Sequence, residues 1–135
     1  MIIKLDHIAI AVKDLECALK PYQEALGLTV SEMEEIPGQQ VRIAYLPIGD
    51  TEIELLEPTT DDSGVAKFLE KRGEGLHHIC LEVDDLKATL ARLKAQGMRL
   101  IDEEPRDGGK GKRIAFVHPR SMNGVLIELT EGQDK

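Results

Sequence analysis

The sequence has few cysteines, few aromatic residues and no excess of positive charge. Only Cys17 and Cys80 occur in 135 residues, outside any C-x-x-C spacing, which excludes a disulfide framework and a zinc ribbon. Seventeen basic side chains against 25 acidic ones give a net charge of −8. Such an acidic chain is a poor binder of nucleic acid or of anionic membranes, so we expect neither partner. Both thiols are expected to pack rather than to react.

Long hydrophobic runs are also absent. The longest one covers residues 8–12, far short of a transmembrane helix. Residues 1–7 show neither a basic leader nor the start of an unbroken apolar stretch, which predicts a cytoplasmic protein. With 41% hydrophobic and 31% charged residues, the chain has the composition of one folded domain, too short for two independent enzymes.

What the sequence does contain is an internal repeat. His7 aligns with His78, 71 residues later, and the similarity extends over three pairs of segments: 5–15 with 76–86, 42–46 with 113–117, and 53–55 with 127–129. Self-similarity over this length is typical of a duplicated structural unit. We predict a single domain over residues 1–135, with repeats at about 1–58 and 74–131 and a bridging helix at about 61–72.

Each repeat has the periodicity of one strand, one helix and three further strands. Asp14 and Asp85 are expected N-caps of the two helices, and Gly27 and Gly97 are expected to end them. Pro21 predicts that the first helix is kinked or begins late. The remaining strands are predicted near 29–36, 41–46 and 51–57 in the first repeat, and near 98–103, 114–117 and 124–130 in the second. We predict the fold class α+β, with two tandem βαβββ modules that form a curved sheet around a metal-binding cleft.

Strand alternation assigns four polar side chains to the cleft. If the bulky residues of each first strand face a helix, His7 and His78 face the other way. The same argument on the last strand of each repeat turns Glu54 and Glu128 to that face. Two imidazoles and two carboxylates suit a divalent ion that keeps two positions for a bidentate ligand.

An ordinary structural interpretation exists for each of these residues alone. A strand histidine is commonly a hydrogen-bonded residue, and Glu52, Glu57 and Glu82 are interpreted as solvated. Recurrence at equivalent positions favours metal ligation for the four, because burying them together without an ion would be costly. His77 lies on the helix-facing side and is expected to be structural. The residue types leave the metal open among Co, Ni, Mn, Fe and Zn.

Paired βαβββ units with His and Glu at these positions resemble the vicinal oxygen chelate superfamily, over essentially the whole chain. Finer motifs resemble its methylmalonyl-CoA epimerase family: residues 5–9, 49–58 and 75–79, and His118-Pro119 followed by residues 124–129. Glyoxalase I, another member, usually has an Asp-Pro-Asp-Gly turn before its last strand, whereas residues 119–124 read Pro-Arg-Ser-Met-Asn-Gly. The superfamily also includes metal-free binding modules, so fold membership alone does not define the reaction.

The resemblance implies metal-dependent epimerisation of (R)- and (S)-methylmalonyl-CoA, by 1,1-proton transfer at the α-carbon through a metal-stabilised enolate. It implies cobalt as the preferred ion, a homodimer, and Glu128 as both ligand and base. Some relatives carry the second acid/base carboxylate at a position that falls on Arg42, which cannot act as a base. Glu54 is therefore the expected replacement. Because paired glutamates also resemble glyoxalase I, that activity and a metal-free binding module remain the alternatives.

Coenzyme A carries phosphate groups, which an acidic chain can bind only through a locally basic segment. One such segment is present. Residues 105–120 hold five basic side chains against one acidic one: Arg106, Lys110, Lys112, Arg113 and Arg120 against Asp107. Three nearby glycines would let backbone N–H groups approach phosphate oxygens. We expect substrate contacts from Lys112, Arg113 and Arg120, and also from Arg42. The alternative is a solvated, flexible hairpin.

Overall fold

The computed structural model describes residues 1–109 and 111–132. Lys110 of the predicted phosphate-binding segment and the last three residues of the predicted domain lie outside the described residues. The chain divides into two compact units, one of residues 7–77 and one of residues 1–6 together with the chain from residue 78 onward. Among the described residues, no helix is both long enough and apolar enough to cross a membrane.

The unit of residues 7–77 has the predicted βαβββ order. Its elements are the second half of β1 (Ile2–Ala11), α1 (Leu15–Lys20), β2 (Glu32–Ile36), β3 (Val41–Ile48) and β4 (Thr51–Pro58), followed by α2 (Gly64–Arg72). The strand order is β2-β3-β4-β1, with β1 parallel to β4 and the other pairs antiparallel. This unit therefore confirms the strand count and the helix position expected for the first repeat.

The first helix shows the irregularity that Pro21 predicts. Asp14 caps its start by accepting a hydrogen bond from the Glu16 backbone N–H at 3.2 Å, so the helix begins without delay. It ends at Lys20, and Pro21–Ala25 continue as a π-helical turn closed by the Leu26 N–H on the Pro21 carbonyl at 3.0 Å. Because proline has no N–H, the α-helical hydrogen-bond ladder cannot pass through this position.

Both faces of this sheet are covered, each by a different helix. On the first face, Leu15 and Leu19 of α1 form a buried cluster with Val12, Ala44, Leu46 and Leu55. On the second, Val65 of α2 joins Ala9, Ala11, Val41, Ile43, Tyr45 and Leu56, with Phe68 and Leu69 packed alongside. The small side chains of Ala9 and Ala11 give α2 room to approach. The predicted bridging segment is thus a core helix that closes part of the second face.

The other unit repeats the same topology. It contains β5 (Gly75–Val83), α3 (Leu86–Ala95), β6 (Arg106–Asp107), β7 (Arg113–Val117) and β8 (Ile127–Glu131), in the order β6-β7-β8-β5. Asp85 caps α3 by accepting a hydrogen bond from Ala88 N–H at 3.0 Å, as predicted. The core lies between α3 and one sheet face: Val83, Leu86, Leu90, Ala115, Val117, Ile127 and Leu129.

The predicted strand over residues 98–103 is wrong. That stretch makes a single isolated bridge, Leu100 to Val117, and the paired strand is the two-residue β6 beyond it. Two consecutive N–H groups, of Ile101 and Asp102, bond to the same carbonyl of Phe116 at 2.9 and 3.2 Å, while the Asp102 carboxylate accepts the Phe116 N–H at 2.8 Å. Because the Asp102 side chain, and not a strand backbone, accepts the Phe116 N–H, no β-ladder forms along residues 98–103.

Candidate active site

In the unit of residues 7–77, His7 and Glu54 meet as strand alternation predicts. Their strands β1 and β4 run parallel, with Ala9 directly beside Glu54, so the two side chains share a face. His7 Nδ1 lies 3.1 Å from Glu54 Oε2, and the residues are only 6% and 7% exposed. A buried imidazole therefore lies in hydrogen-bonding contact with a buried carboxylate.

The other unit builds the same pair from equivalent strands. Cys80 of β5 is paired with Glu128 of β8, which places Glu128 next to His78 on one face. His78 Nε2 lies 2.8 Å from Glu128 Oε1, and both residues are 5% exposed. The ring of Phe116 meets His78 edge-on, with centroids 5.4 Å apart, which is a favourable arrangement of two aromatic rings. The sequence repeat is thus a repeat of local chemistry.

The four donors fit a divalent cation by their chemistry. Each unit supplies one imidazole nitrogen and one carboxylate, all on residues at most 7% exposed. Imidazole and carboxylate are ligands that Co, Ni, Mn, Fe and Zn accept. Carboxylates are rarely buried this deeply unless they are paired or bound to a cation, and both glutamates are therefore candidate metal ligands.

Arg42 lies on the opposite face of its sheet from Glu54. Its guanidinium bonds Glu57 Oε1 at 2.9 Å and Glu16 Oε2 of α1 at 3.0 Å. Strand alternation explains the position, because Tyr45 is the β3 residue opposite Glu54 and Arg42 is three residues away, on the α1 face. Its position does not support the substrate contact expected from the sequence. The structure gives Arg42 the role of a link between helix and sheet.

One lysine of the basic segment, Lys112, forms an ion pair with the buried Asp6. Lys112 Nζ lies 3.0 Å from Asp6 Oδ1, whose side chain is 8% exposed. Burial lowers the pKa of Lys112, but the hydrogen bond and charge of Asp6 outweigh it and raise the pKa above its ordinary value. Arg113 and Arg120 are exposed at the surface of this unit. Their exposure leaves both guanidinium groups accessible to a ligand.

His77 has the structural position expected of it. Its ring packs against Phe68 of α2 with centroids 5.0 Å apart at 68°, and it lies in the unit of residues 7–77. The neighbouring His78 belongs to the other unit and faces Glu128. Consecutive strand residues point to opposite faces, which separates the two histidines.

Three residues near the site make contacts that the sequence patterns do not predict. Tyr45 Oη donates to Glu34 Oε1 at 2.8 Å, on the sheet face that carries Glu54. The Arg106 guanidinium covers the Phe116 ring at 5.4 Å and bonds Asp102 Oδ1 at 3.1 Å. Asp6 is the third, through Lys112. Strand alternation could have placed Tyr45 beside Glu54, but diagonal and loop-to-strand contacts leave no periodic signal.

Comparison with known proteins agrees with the fold. The model of the Glyoxalase/Bleomycin resistance protein/Dioxygenase superfamily matches residues 6–116. The ethylmalonyl-CoA/methylmalonyl-CoA epimerase of Cereibacter sphaeroides is 43% identical over 97% of this chain and 99% of its own. A solved structure of methylmalonyl-CoA epimerase in complex with methylmalonyl-CoA and NH4+ is 40% identical with a TM-score of 0.94, covering 98% of this chain and 96% of that one. The lactoylglutathione lyase of Haemophilus influenzae is 31% identical over 94% of this chain and 91% of its own.

The chain belongs to the glyoxalase/bleomycin resistance/dioxygenase superfamily, and its α+β fold of paired βαβββ units is the fold of that superfamily. Within the superfamily it is 40–43% identical to methylmalonyl-CoA epimerases over nearly the whole chain, against 31% for the lactoylglutathione lyase. It is accordingly an enzyme, an isomerase of the racemase and epimerase class.

Proposed function

We propose that this enzyme interconverts (R)- and (S)-methylmalonyl-CoA by moving the α-proton from one face of the carbon to the other. The observation that carries the proposal is the buried His–Glu pair built twice, His7 with Glu54 and His78 with Glu128, in a chain so similar to epimerases. Inversion requires one acid/base group on each face of a planar intermediate. We assign these two roles to one carboxylate from each repeat.

The same four residues are the proposed ligands of one divalent ion, with cobalt as the preferred candidate. When bound, the ion would supply Lewis acidity that stabilises the developing enolate by several kcal/mol. The protein's own part is to hold two carboxylates in dry surroundings, each oriented by an imidazole. Glu128 takes the α-proton on one face, and Glu54 gives a proton on the other. A positioned base of this kind contributes roughly 10²- to 10⁴-fold to the rate.

For the coenzyme A portion we propose contacts from the basic segment. Arg113 and Arg120 are exposed, so their guanidinium groups are accessible to phosphate oxygens. Lys112 adds positive charge while its ammonium stays on Asp6. Arg42 contributes only through the fold, since it is bound to Glu16 and Glu57.

The test is solvent deuterium exchange at the α-carbon of methylmalonyl-CoA with metal-loaded enzyme, followed by mass spectrometry and a stereospecific assay. We expect the parent to exchange and to epimerise, and Glu128→Gln to lose epimerisation because an amide cannot take the proton. Glu103→Gln is the matched control, because Glu103 is exposed and pairs with Lys94. Full activity of Glu128→Gln would remove Glu128 from the mechanism.

Two other functions remain as competitors. Paired glutamates, together with the 31% identity to a lactoylglutathione lyase, favour glyoxalase I as the second candidate. If the enzyme isomerises the glutathione hemithioacetal of methylglyoxal much faster than it epimerises methylmalonyl-CoA, the coenzyme A proposal is wrong. A metal-free binding module is disfavoured by four buried donors, and it would show neither activity.

A further inference from the structure

Tyr45 is the cross-strand neighbour of Glu54. β3 and β4 are antiparallel and place the two residues directly opposite each other, so their side chains leave the same face. Directly opposed residues have Cβ atoms about 4.5–5.5 Å apart. Tyr45 is 2% exposed and packs among Ala9, Val41 and Leu56. The buried Tyr45 ring therefore lies beside Glu54 of the candidate site.

The far end of this ring is anchored as well. Tyr45 Oη donates a hydrogen bond to Glu34 Oε1 at 2.8 Å, and Glu34 lies on β2, diagonally across from Tyr45, which is itself opposite Glu32. Burial and the Glu34 carboxylate raise the pKa of the Tyr45 phenol well above its usual range, so the hydroxyl remains a donor. The ring is therefore held at both its backbone and its hydroxyl.

These contacts form a polar row across four strands. It runs from Glu34 on β2 through Tyr45 on β3 and Glu54 on β4 to His7 on β1. Phenylalanine would fill the same volume in this apolar cluster, and a buried hydroxyl costs free energy unless it is bonded. The Tyr45 hydroxyl has such a bond, to Glu34. We infer that this bond fixes the ring next to Glu54.

We propose that Tyr45 is a positioning residue for Glu54: anchored through Glu34, its ring confines the Glu54 carboxylate to the orientation in which it meets His7. The inference rests on the proposed function only in that it takes Glu54 to be the group that donates a proton to the α-carbon. The geometric part, the orientation of Glu54 toward His7, can be measured without substrate.

The first measurement is the side-chain ¹⁵N resonances of the histidines in the full chain kept metal-free with a chelator. Tyr45→Phe and Glu34→Ala should shift the His7 resonances, because the Glu54 acceptor is displaced, whereas Glu34→Gln keeps an acceptor for the phenol and should leave them near the parent position. His78 is the internal reference, since its partner is Glu128. Unchanged His7 resonances in both disruptive variants would overturn the inference.

The second measurement separates positioning from general loosening of the fold. Tyr45→Phe should lower kcat by about tenfold to a hundredfold with KM unchanged, because the misplaced group is a proton donor and not a substrate contact. The loss should fall on conversion between enantiomers, while α-deuterium exchange on the face of Glu128 persists. Tyr22→Phe, in the α1 cluster, is the control and should behave as the parent.

Coupling between the two anchoring residues completes the test. Tyr45→Phe combined with Glu34→Ala should be no worse than Tyr45→Phe alone, since both remove one hydrogen bond. Additive losses, or equal losses on the two faces of the α-carbon, would assign Tyr45 a merely structural role. If the parent does not epimerise at all, the proposed function fails, and the His7 resonances still decide whether Tyr45 positions Glu54.

Discussion

At the scale of single residues, the two glutamates of the candidate site are alike in burial, in histidine partner and in the aromatic residue opposite them. Tyr45 is paired with Glu54 and Phe116 with Glu128, and of these two rings only that of Tyr45 carries a hydroxyl, which bonds Glu34. The pairs are equivalent by strand position, so the sequence repeat led directly to them. The two rings also lie at equivalent positions of the repeat, but the hydrogen bond from Tyr45 to Glu34 on a third strand leaves no signal in the sequence pattern.

Glu54→Gln should keep the metal and lose turnover. The amide oxygen can still ligate, but the amide cannot shuttle a proton, so kcat should fall by roughly 10²-fold or more. The measurement is metal content by elemental analysis alongside the rate of epimerisation. Exchange of the α-proton of one enantiomer should survive through Glu128. Near-full epimerisation with metal bound would make Glu54 a ligand only.

Arg113 should carry more of the electrostatic attraction for substrate than Lys112. Arg113→Ala should raise KM for a coenzyme A thioester and flatten its dependence on salt, because a screened contact to phosphate is lost. Lys112→Met should affect KM less, since its ammonium is already bound to Asp6. The comparison is made from KM at low and high ionic strength. A larger salt effect in Lys112→Met would reverse the assignment.

Lys112→Met should instead lower the free energy of unfolding, by about 1 kcal/mol for a partly exposed pair. The folded-state pKa of Lys112 is raised, so its stabilising effect is complete below the unfolded pKa of about 10.4 and is lost as the pH rises through the higher folded pKa. Urea unfolding of parent and variant at pH 7 and above pH 10.4 should show the gap closing. A constant gap would mean that the charge of Lys112 is irrelevant.

At the scale of elements, helix capping was readable in advance and strand pairing was only partly so. Asp14 and Asp85 both cap the helices predicted for them, because an N-cap is a local contact within three residues. The segment 98–103 has the composition of a strand, yet the Asp102 carboxylate and the Phe116 backbone decide its conformation. Whether this segment pairs as a strand depends on Phe116, 14 residues from Asp102, and the periodicity of the segment itself holds no information on that contact.

Asp85→Ala should destabilise the unit that contains α3 by about 1 kcal/mol. The Asp85 carboxylate accepts the Ala88 N–H at 3.0 Å, and alanine would leave that donor without its acceptor. Asp85→Asn keeps a side-chain oxygen and serves as the control. The measurement is chemical denaturation followed by circular dichroism. Equal losses in the two variants would show that the carboxylate charge, and not the cap, stabilises the helix.

At the scale of the whole molecule, metal binding should link the stabilities of both repeats. A ligand that binds only the folded chain raises the free energy of unfolding by about 2.7 kcal/mol at one hundred times its Kd. Co²⁺ should therefore raise the Tm of the parent, and elemental analysis should find about one ion per chain. His7→Ala combined with His78→Ala should abolish both effects, whereas His77→Ala should retain them. Full occupancy in the double variant would discard the metal site.

The sequence by itself determined the duplicated βαβββ unit, the helix caps and the pairing of each histidine with a glutamate. Those features follow from strand alternation, from contacts within one turn of chain and from a repeat, all of which a linear sequence records. Only the tertiary structure decided that Arg42 binds Glu16 and Glu57, that Lys112 meets Asp6, and that Tyr45 reaches Glu34. These contacts join residues 11 to 106 positions apart, where side-chain reach and the packing of neighbouring elements choose the partner, and no periodicity of the chain encodes that choice.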